Sequence, residues 1–339
     1  MRPFLYQRAG SLAEAVQLGT TDGSRVPPTM AATQYLAGGT TLLDLMKLDV
    51  MRPETLVDVN RLDPAGSRIE RRGNALHLGA FVTMAAAAEH AEIRQNYPLV
   101  AQSLELAASP QLRHMATLGG NVLQRTRCSY FRDPSWSACN KREPGSGCAA
   151  LDGVNRKHAV LGVSDECIAA YPGDFAQALV ALDAAVEIVG SGGSRVLPFE
   201  QLHRPPGNTP QVETVLMQGE LITGFRLPVA PWTRRSLYLK IRDRQSYEFA
   251  LASAAVALDL ADGRVNDARV ALGGVATKPW RAREAEAALK GGALDENSAR
   301  RAADAAFAAA RTRGGNDYKP ELGKRTLVRA LLQAAQLSI

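Results

Sequence analysis

The chain has 339 residues, of which 46% are hydrophobic and 22% are charged, a composition that excludes disordered, collagenous and coiled-coil proteins. Its 40 Lys and Arg residues outnumber its 34 Asp and Glu residues, but the excess is spread along the chain and only 6% of residues are aromatic. Nucleic-acid-binding proteins concentrate their positive charge, so nucleic acid is not an expected partner. At ~150 residues per domain, the length predicts two domains.

The sequence predicts no segment inside a membrane and no export signal of its own. No stretch approaches the ~20 apolar residues that a membrane span requires. Residues 1–15 lack the apolar run and the small-residue cleavage site of a signal peptide. Export as a passenger on a partner stays open at this point.

Hydrophobic periodicity and turn residues predict the first group of elements in chain order. Short strands are predicted at 56–60 and 75–80, followed by helices at 84–91 and 98–107. Residues 124–172 lack sustained periodicity and are rich in Gly, Pro, Ser, Asp and Asn, which is typical of a functional loop. After this loop we expect a helix at 174–184, a strand at 186–189, a turn at 190–194 and a strand at 221–227.

A proline-containing stretch at 228–233 predicts the domain boundary, because proline removes a backbone donor and breaks regular structure. Beyond it the sequence predicts antiparallel strands at 237–241, 250–260 and 268–272, with a hairpin turn at 261–264. Alanine-rich helices are predicted at 281–289, 298–312 and 322–337. The resulting fold class is α+β, with one domain at 1–228, subdivided near residue 60, and a second at 229–339.

Two diglycine turns are candidate binding elements. Gly38 and Gly39 lie between a short apolar segment and Thr40, Thr41 and a helix predicted at 42–48. Backbone amides and the positive end of a helix then meet at one point, which suits a phosphate group. The pattern is neither a Rossmann fingerprint nor a Walker loop.

The second turn contains Gly119 and Gly120, flanked by Thr117 and Asn121, and it leads directly into the loop 124–172. A single Gly-Gly pair is most often only a turn. Two such turns flanked by threonine predict a pyrophosphate held between two backbone clamps.

All four cysteines lie between residues 128 and 167, separated by 10, 8 and 18 residues. Disulfides are a device of small exported domains, and zinc knuckles place two to four residues between ligands, so neither pattern is matched. An iron–sulfur cluster tolerates irregular spacing in a wrapped loop, while four unconnected thiols remain the plainest alternative. We expect Gly145 and Gly147 to let backbone amides approach the cluster sulfurs.

No pair of side chains predicts acid–base or nucleophilic catalysis. The five histidines show no metal-binding spacing, and no Ser-centred nucleophile motif occurs. We therefore assign no catalytic residue and expect the chemistry to reside in cofactors.

The runs AGGTTLLDLMK and TLGGN, together with RTRC, ACNKREPGSGC, RKHAVLG and CIAAYPGDFAQALVALDA, resemble the FAD-binding subunits of the molybdenum hydroxylase (xanthine dehydrogenase) family. Within that family they are most similar to the FAD subunits of bacterial three-subunit aldehyde oxidoreductases, which carry a 4Fe–4S cluster. The resemblance covers essentially the whole chain, and the cysteine segment is its most specific part. It implies a two-part FAD-binding domain with paired diglycine clamps, followed by a smaller domain of antiparallel sheet plus helices.

The resemblance also implies which residues hold the cofactors. Asp174 would hydrogen-bond FAD or cap its helix, Lys240 would lie close to the flavin, and Ile222 would pack near its ring. The four ligands of the 4Fe–4S cluster would be Cys128, Cys139, Cys148 and Cys167. The remaining residues implied for FAD are Tyr35, Leu36, Ala37, Gly38, Gly39, Thr40, Thr41, Leu42, Leu43, Ala107, Thr117, Gly119, Gly120 and Asn121.

The function implied is that of an FAD and 4Fe–4S electron-transfer subunit of a molybdenum-dependent aldehyde oxidoreductase. A large partner with a molybdenum cofactor would oxidise the aldehyde to a carboxylic acid, and a small partner with two 2Fe–2S clusters would complete a heterotrimer or its dimer. The electrons would leave to an external acceptor. The compartment implied is the periplasm, reached by export with a partner, with the cytoplasm as the alternative.

Three other functions are weighed beside this one. The chain could be the flavin subunit of a complex like 4-hydroxybenzoyl-CoA reductase or xanthine dehydrogenase. It could instead be a zinc or disulfide protein without a redox role, or a flavoenzyme that acts alone. The absence of a candidate base near the diglycine turns disfavours the last of these.

Overall fold

The computed structural model describes residues 1–20, 26–62 and 64–339. The strands are β1 (Leu5–Arg8), β2 (Thr33–Leu36), β3 (Thr55–Asp58), β4 (Ile69–Arg72), β5 (Ala75–Gly79), β6 (Ala185–Gly190), β7 (Gly193–Pro198), β8 (Leu221–Pro228), β9 (Ser236–Ile241), β10 (Ala252–Ala261), β11 (Arg264–Gly273) and β12 (Trp280–Arg281). The helices are α1 (Leu12–Gly19), α2 (Leu42–Lys47), α3 (Met84–Glu89), α4 (Ala91–Asn96), α5 (Pro98–Glu105), α6 (Pro110–Met115), α7 (Leu118–Val122), α8 (Ser129–Arg132), α9 (Phe175–Ala181), α10 (Arg283–Leu289), α11 (Glu296–Phe307) and α12 (Lys319–Ala335).

A small parallel sheet begins the fold, with strand order β1-β3-β2. The central strand β3 buries Leu56 and Val57, and Val57 lies opposite Tyr35 of β2. Parallel strands end at the same edge of a sheet, so the first diglycine turn leaves that edge between β2 and α2.

A five-stranded antiparallel sheet with order β4-β5-β8-β6-β7 forms the second part. Its core includes Phe175 of α9 and Phe225 of β8, whose rings meet edge to face with centroids 5.7 Å apart. Strand β7 was not predicted, because it is an edge strand whose side chains alternate only between exposed and half-exposed positions. A strand without a buried face leaves a weak hydrophobic pattern in the sequence.

The C-terminal region consists of an antiparallel sheet, β12-β11-β10-β9, covered by helices α10 and α12, and α11 packs on these two helices. Strand β10 is apolar at nearly every position because both of its faces are covered. Ala254, Val256 and Leu258 belong to the core under these helices, whereas Ala255 and Ala257 belong to the core shared with α5 and α9. The predicted α+β class, with antiparallel sheet plus helices at the C-terminal end, is confirmed.

Helix boundaries differ from the predicted ones where a cap decides them. The helix predicted at 298–312 is α11, which begins earlier because Asp295 and Ser298 form a reciprocal capping box. The helix predicted at 322–337 begins at Lys319, since Pro320 is tolerated in a first turn.

Residues 124–172 form the long irregular segment that the sequence indicates, with α8 as its short helix. One side of this segment packs on α2, where Phe131 and Cys139 join Leu45 and Met46 in an apolar cluster. Its other side is hydrogen-bonded to the C-terminal region, because the Asn316 amide donates to Ala159 O and the Arg311 N–H donates to Val160 O.

Within the described ranges, no helix combines the length and the apolar character needed to cross a bilayer.

Candidate cofactor sites

The first diglycine turn is held open by its neighbours. The Tyr35 hydroxyl lies 3.0 Å from Ala15 O and 2.9 Å from Gly219 O, so the end of β2 is anchored on its far side. Asn60 donates from its amide to the carbonyl oxygens of Leu36 and Ala37. Gly39 has φ +71°, a conformation that favours glycine, and Gly39 O accepts the first hydrogen bond of α2 from Leu43.

Backbone donors of this turn remain free. Among the residues that the structure describes, no acceptor is paired with the N–H groups of residues 38–42. A run of such donors at a turn is the arrangement that binds a phosphate oxygen.

The two diglycine turns are in direct contact. A Cβ atom at Gly38 would lie 1.9 Å from Met115 O and 3.0 Å from the Cα atom of Ala116. Glycine is therefore required at position 38 for the backbones to approach this closely.

The amides of the second turn are occupied within the protein. The Gly119 N–H donates to Ala80 O, and the Gly120 N–H donates to the Thr117 hydroxyl, which caps α7. The second turn thus forms a close-packed wall, and the free backbone donors of the cleft come from the first turn.

One cleft runs between the two turns. Its space, including the open mouth, is about 1230 Å³. Among the residues implied for FAD, those that line it are Tyr35, Ala37, Gly38, Gly39, Thr40, Thr41, Leu42, Thr117, Gly119, Gly120 and Ile222. Leu36 and Leu43 instead pack into the apolar cluster with Phe131.

Asn121 lies at the end of the second turn with one polar atom unsatisfied. Its side-chain N–H₂ lies 3.2 Å from Met84 Sδ, while its Oδ1 is buried and has no partner among the described residues. An unpaired buried acceptor is costly unless a ligand or water supplies a donor. Asn121 does not itself line the cleft, so the fit to a polar cofactor such as FAD rests on the free amides of residues 38–42.

Ala107, Asp174 and Lys240 form a second group, away from the cleft wall. Lys240 Nζ donates to Asp174 Oδ2 at 2.7 Å and to Leu106 O at 3.0 Å, beside the buried Ala107. Asp174 Oδ1 accepts from the Tyr238 hydroxyl at 2.6 Å. Burial, reinforced by this carboxylate, raises the pKa of Tyr238 well above its usual value.

The N-cap position expected for Asp174 is confirmed, but its side chain does not cap the helix. No hydrogen bond joins the Asp174 side chain to α9. Its two oxygens are turned instead to Tyr238 and Lys240 on the neighbouring sheet.

The four cysteines line one small cavity in the irregular segment. All four thiols are free, so the disulfide alternative finds no support in the structure. Cys139 and Cys148 face each other across a short antiparallel bridge, and Cys128 and Cys167 complete the wall. The thiols are thus brought together from three separate stretches of the segment, which unconnected thiols would not require.

A single metal ion does not fit this arrangement. Four sulfurs around one zinc ion lie about 3.8 Å apart, from tetrahedral geometry and a bond of ~2.3 Å. Within the part of the chain described, no three Cys, His, Asp or Glu side chains are placed closely enough to hold one ion.

Cys139 and Cys167 are buried, Cys128 and Cys148 are half-buried, and backbone donors approach three of the four sulfurs. Burial raises the pKa of Cys128 to about 12 and that of Cys167 to about 11, and it also raises the pKa of Cys148. Backbone N–H groups of Tyr130 and Phe131 approach the Cys128 sulfur and oppose that rise. Such N–H donors are a regular feature of iron–sulfur sites.

The role expected for the glycines of the segment is wrong in detail. Gly145 and Gly147 do adopt positive φ values, 85° and 93°. However, the Gly147 N–H donates to Asn140 Oδ1 rather than to a sulfur. The backbone donors near Cys148 come instead from Ala150 and Ile168.

Sequence reasoning missed His158. The interpretation of each histidine as a surface or satisfied core residue fails here, because His158 Nε2 lies 3.1 Å from Cys128 Sγ. Burial lowers the pKa of His158 to about 4. The run RKHAVLG was part of the family resemblance, but the spacing to Cys128 gave no signal of this contact.

A buried ion cluster separates the cleft from the cysteine cavity. Glu213 Oε1 accepts from Arg125 at 2.9 Å and lies 3.2 Å from Lys141 Nζ. Burial alone would raise the pKa of Glu213, but the charges of Arg125 and Lys141 outweigh it and lower the pKa to about 2. The Arg125 guanidinium lies 4.6 Å from the ring centre of Phe131, so a residue of the cleft wall touches a residue of the cysteine cavity.

Comparison with known families matches both parts of the chain. Residues 2–230 match the FAD binding domain in molybdopterin dehydrogenase. Residues 237–334 match the CO dehydrogenase flavoprotein C-terminal domain.

Individual relatives match over nearly their whole length. The aldehyde oxidoreductase FAD-binding subunit PaoB of Escherichia coli K12 is 44% identical, with 98% of this chain and 99% of that protein covered. The carbon monoxide dehydrogenase medium chain of Afipia carboxidovorans is 30% identical, with 98% and 96% covered. The names of these two relatives refer to an FAD-binding subunit and to a medium chain, and neither name refers to a 4Fe–4S cluster.

A solved structure shares the fold. Reconstituted CO dehydrogenase from Oligotropha carboxidovorans superposes on this chain with a TM-score of 0.76 and 26% sequence identity, and 100% of each chain is covered.

Proposed function

Because this chain belongs to the family of FAD-binding proteins of molybdopterin dehydrogenases, we propose that it is the FAD and 4Fe–4S electron-transfer subunit of a molybdenum-dependent aldehyde oxidoreductase. The observation that carries the FAD part is the cleft between two touching diglycine turns, lined by the free amides of residues 38–42. When bound, FAD supplies a group that exchanges one or two electrons.

The chain's own residues account for binding of the phosphates. The N–H groups of residues 38–42 would donate to the pyrophosphate oxygens, and Thr40 and Thr41 add hydroxyl groups to the same wall. Asn121 Oδ1 could not pair with a phosphate oxygen, since both accept, and would instead accept from a hydroxyl group of the cofactor, while Ile222 presents an apolar surface to the cleft. Asp174 and Lys240 form an ion pair with each other. Either side chain would have to give up part of this ion pair in order to bind the cofactor.

The substrate class rests on similarity to the Escherichia coli aldehyde oxidoreductase subunit, which is higher than to the Afipia carbon monoxide dehydrogenase chain. By this proposal a large molybdenum-binding partner oxidises the aldehyde, and a small partner with two 2Fe–2S clusters connects it to this chain. Xanthine dehydrogenase FAD-binding subunits are only 23% identical, so the alternative of a xanthine dehydrogenase-like complex is less favoured. Export to the periplasm with a partner, or retention in the cytoplasm, stays a prediction.

The cluster part of the proposal rests on the cysteine cavity. The four sulfurs line one space, no disulfide joins them, and backbone donors approach Cys128 and Cys148. A cluster held there would exchange single electrons, and the contact between Arg125 and Phe131 would make it a near neighbour of a flavin bound in the cleft.

The test is aldehyde-dependent reduction of the flavin in the complex purified anaerobically with the products of neighbouring genes. We expect flavin absorbance to fall when an aldehyde is added, and Cys139→Ser to lose iron while keeping FAD. Ser135→Ala is the matched control, because Ser135 lies in the same segment but is exposed and does not line the cysteine cavity; this variant should keep both iron and FAD. A complex that oxidises aldehyde with an artificial dye but never reduces its flavin would contradict the proposal.

A further inference from the structure

His158 makes a contact that the proposed function does not use. Its Nε2 atom lies 3.1 Å from Cys128 Sγ, within hydrogen-bond distance for sulfur. The side chain is buried at 5% exposure, and Nδ1 is buried without a partner among the residues described. The ring also lies beside Tyr130, with ring centres 6.3 Å apart.

The surroundings of the ring decide where its proton resides. A neutral imidazole carries its proton on one nitrogen and a lone pair on the other. A proton on Nδ1 would leave a buried donor unpaired and would point a lone pair at the Cys128 sulfur, which carries no proton when it is a cluster ligand. A proton on Nε2 is paired with Cys128 Sγ and leaves only an unpaired acceptor, so this tautomer is favoured.

The backbone on both sides of His158 is fixed by other parts of the protein. The His158 N–H donates to Asn155 O at 2.9 Å, and the Ala159 N–H donates to Ile168 O, one residue after Cys167. Lys157 O accepts from Lys319 Nζ at 3.1 Å, and Ala159 O accepts from Asn316. The ring is therefore placed by α12 and the stretch that precedes it, and not by the cysteines alone.

We propose that His158 is a positioning residue for the cysteine cavity, where its Nε2–H donates to the sulfur of Cys128 and raises the reduction potential of a cluster bound there. This inference rests on the cluster part of the proposed function. Reduction adds one electron and increases the negative charge on the cluster sulfurs. An N–H donor to a ligand sulfur stabilises that charge, so its removal makes reduction harder.

The test is a redox titration of the full chain, produced and purified anaerobically, with electron paramagnetic resonance as the readout. Dithionite is the reductant, and iron is quantified in each sample. We compare the wild type with His158→Leu, which removes the donor, and with His158→Gln, whose amide can still supply one. His114→Leu, at an exposed histidine on α6, is the matched control.

We expect His158→Leu to keep its iron and to shift the midpoint potential to a more negative value. His158→Gln should lie between this variant and the wild type, and His114→Leu should match the wild type. An unchanged midpoint potential in an iron-replete His158→Leu protein would overturn the inference and leave the proposed function intact. Loss of iron from both His158 variants would also overturn it, because the histidine would then be needed for assembly rather than tuning. A wild type without iron would overturn the cluster proposal itself.

Discussion

At the scale of single residues, Gly38 is the position in the candidate FAD site where the backbones of two segments come closest together. A methyl group at this position would lie 1.9 Å from Met115 O, which belongs to the backbone and cannot rotate away. We expect Gly38→Ala to force the two turns apart and to weaken FAD binding by at least ~tenfold, which corresponds to ~1.4 kcal/mol. Flavin content after gel filtration and the dissociation constant from fluorescence titration measure the effect.

Gly192→Ala is the matched control, since a Cβ atom there meets nothing within 4 Å and the backbone conformation is not restricted to glycine. This variant should bind FAD as the wild type does. Equal FAD affinity in Gly38→Ala and Gly192→Ala would contradict the assigned role of the turn contact.

The sequence predicts Gly38 and Gly39 as a phosphate-binding turn from local chemistry alone. It could not predict that the amide of Gly119 is occupied, because its acceptor, Ala80 O, lies directly after β5 and far away in the sequence. The contact of His158 with Cys128 was missed for the same reason, since it depends on how residues 155–161 pack on the C-terminal region. Local motifs reveal which residues could bind, and tertiary packing decides which donors remain free.

At the scale of secondary-structure elements, α9 and β9 are joined by a buried ion pair. The side chains of Asp174 and Lys240 are 4% and 1% exposed, and Lys240 Nζ lies 2.7 Å from the carboxylate. Removal of one partner leaves the other as an uncompensated buried charge, which costs about 3–5 kcal/mol. We therefore expect Asp174→Asn to lower the free energy of unfolding by this amount in urea titrations of the protein without added FAD.

The double variant Asp174→Asn with Lys240→Met removes the stranded charge. It should recover most of the stability lost by Asp174→Asn, because apolar replacement of a buried pair is often nearly neutral. If the double variant is as unstable as Asp174→Asn alone, the loss comes from the Tyr238 contact and not from the charge of Lys240.

The elements that the sequence predicts well are those with one buried face or two. Alternate residues of β10 are buried in two different cores, and α12 has an apolar stripe. Both arrangements leave strong hydrophobic patterns in the sequence, and both elements lie close to their predicted positions. Strand β7 left none, because an exposed edge strand needs no buried residues. The predicted hairpin turn at 261–264 is formed, with Asp262 and Gly263 at φ 51° and 73°.

At the scale of the whole molecule, Lys319 joins the cysteine segment to the C-terminal sheet. Its buried ammonium group donates to Lys157 O and, at 2.6 Å, to Gly274 O. Burial, together with the nearby charges of Arg156 and Lys157, lowers the pKa of Lys319 to about 7 from 10.5. Between these two values the unfolded chain binds one more proton at this residue than the folded protein does.

The consequence is a defined pH dependence. Because the unfolded state binds more protons, the contribution of Lys319 to the free energy of unfolding rises as pH rises from about 7 to 10.5. Lys319→Met should lose this rise, so the stability difference between wild type and variant should shift in favour of the wild type over this range. Chemical denaturation at several pH values measures it.

Lys324→Met is the control, because Lys324 lies on the same helix with 33% of its side chain exposed and an ion pair with Asp304. Its variant should follow the pH dependence of the wild type. If the free energy of unfolding of the wild type and of Lys319→Met changes with pH in the same way between pH 7 and 10, the lowered pKa of Lys319 is contradicted.

The most direct test of the central claim is the cofactor content of the full chain, purified anaerobically and assayed for FAD, iron, sulfide and zinc. The account predicts stoichiometric FAD together with about four iron and four sulfide per chain, as a 4Fe–4S cluster requires. FAD without iron would leave the flavin site standing and contradict the cluster. Zinc in place of iron, with no flavin bound, would contradict the account as a whole.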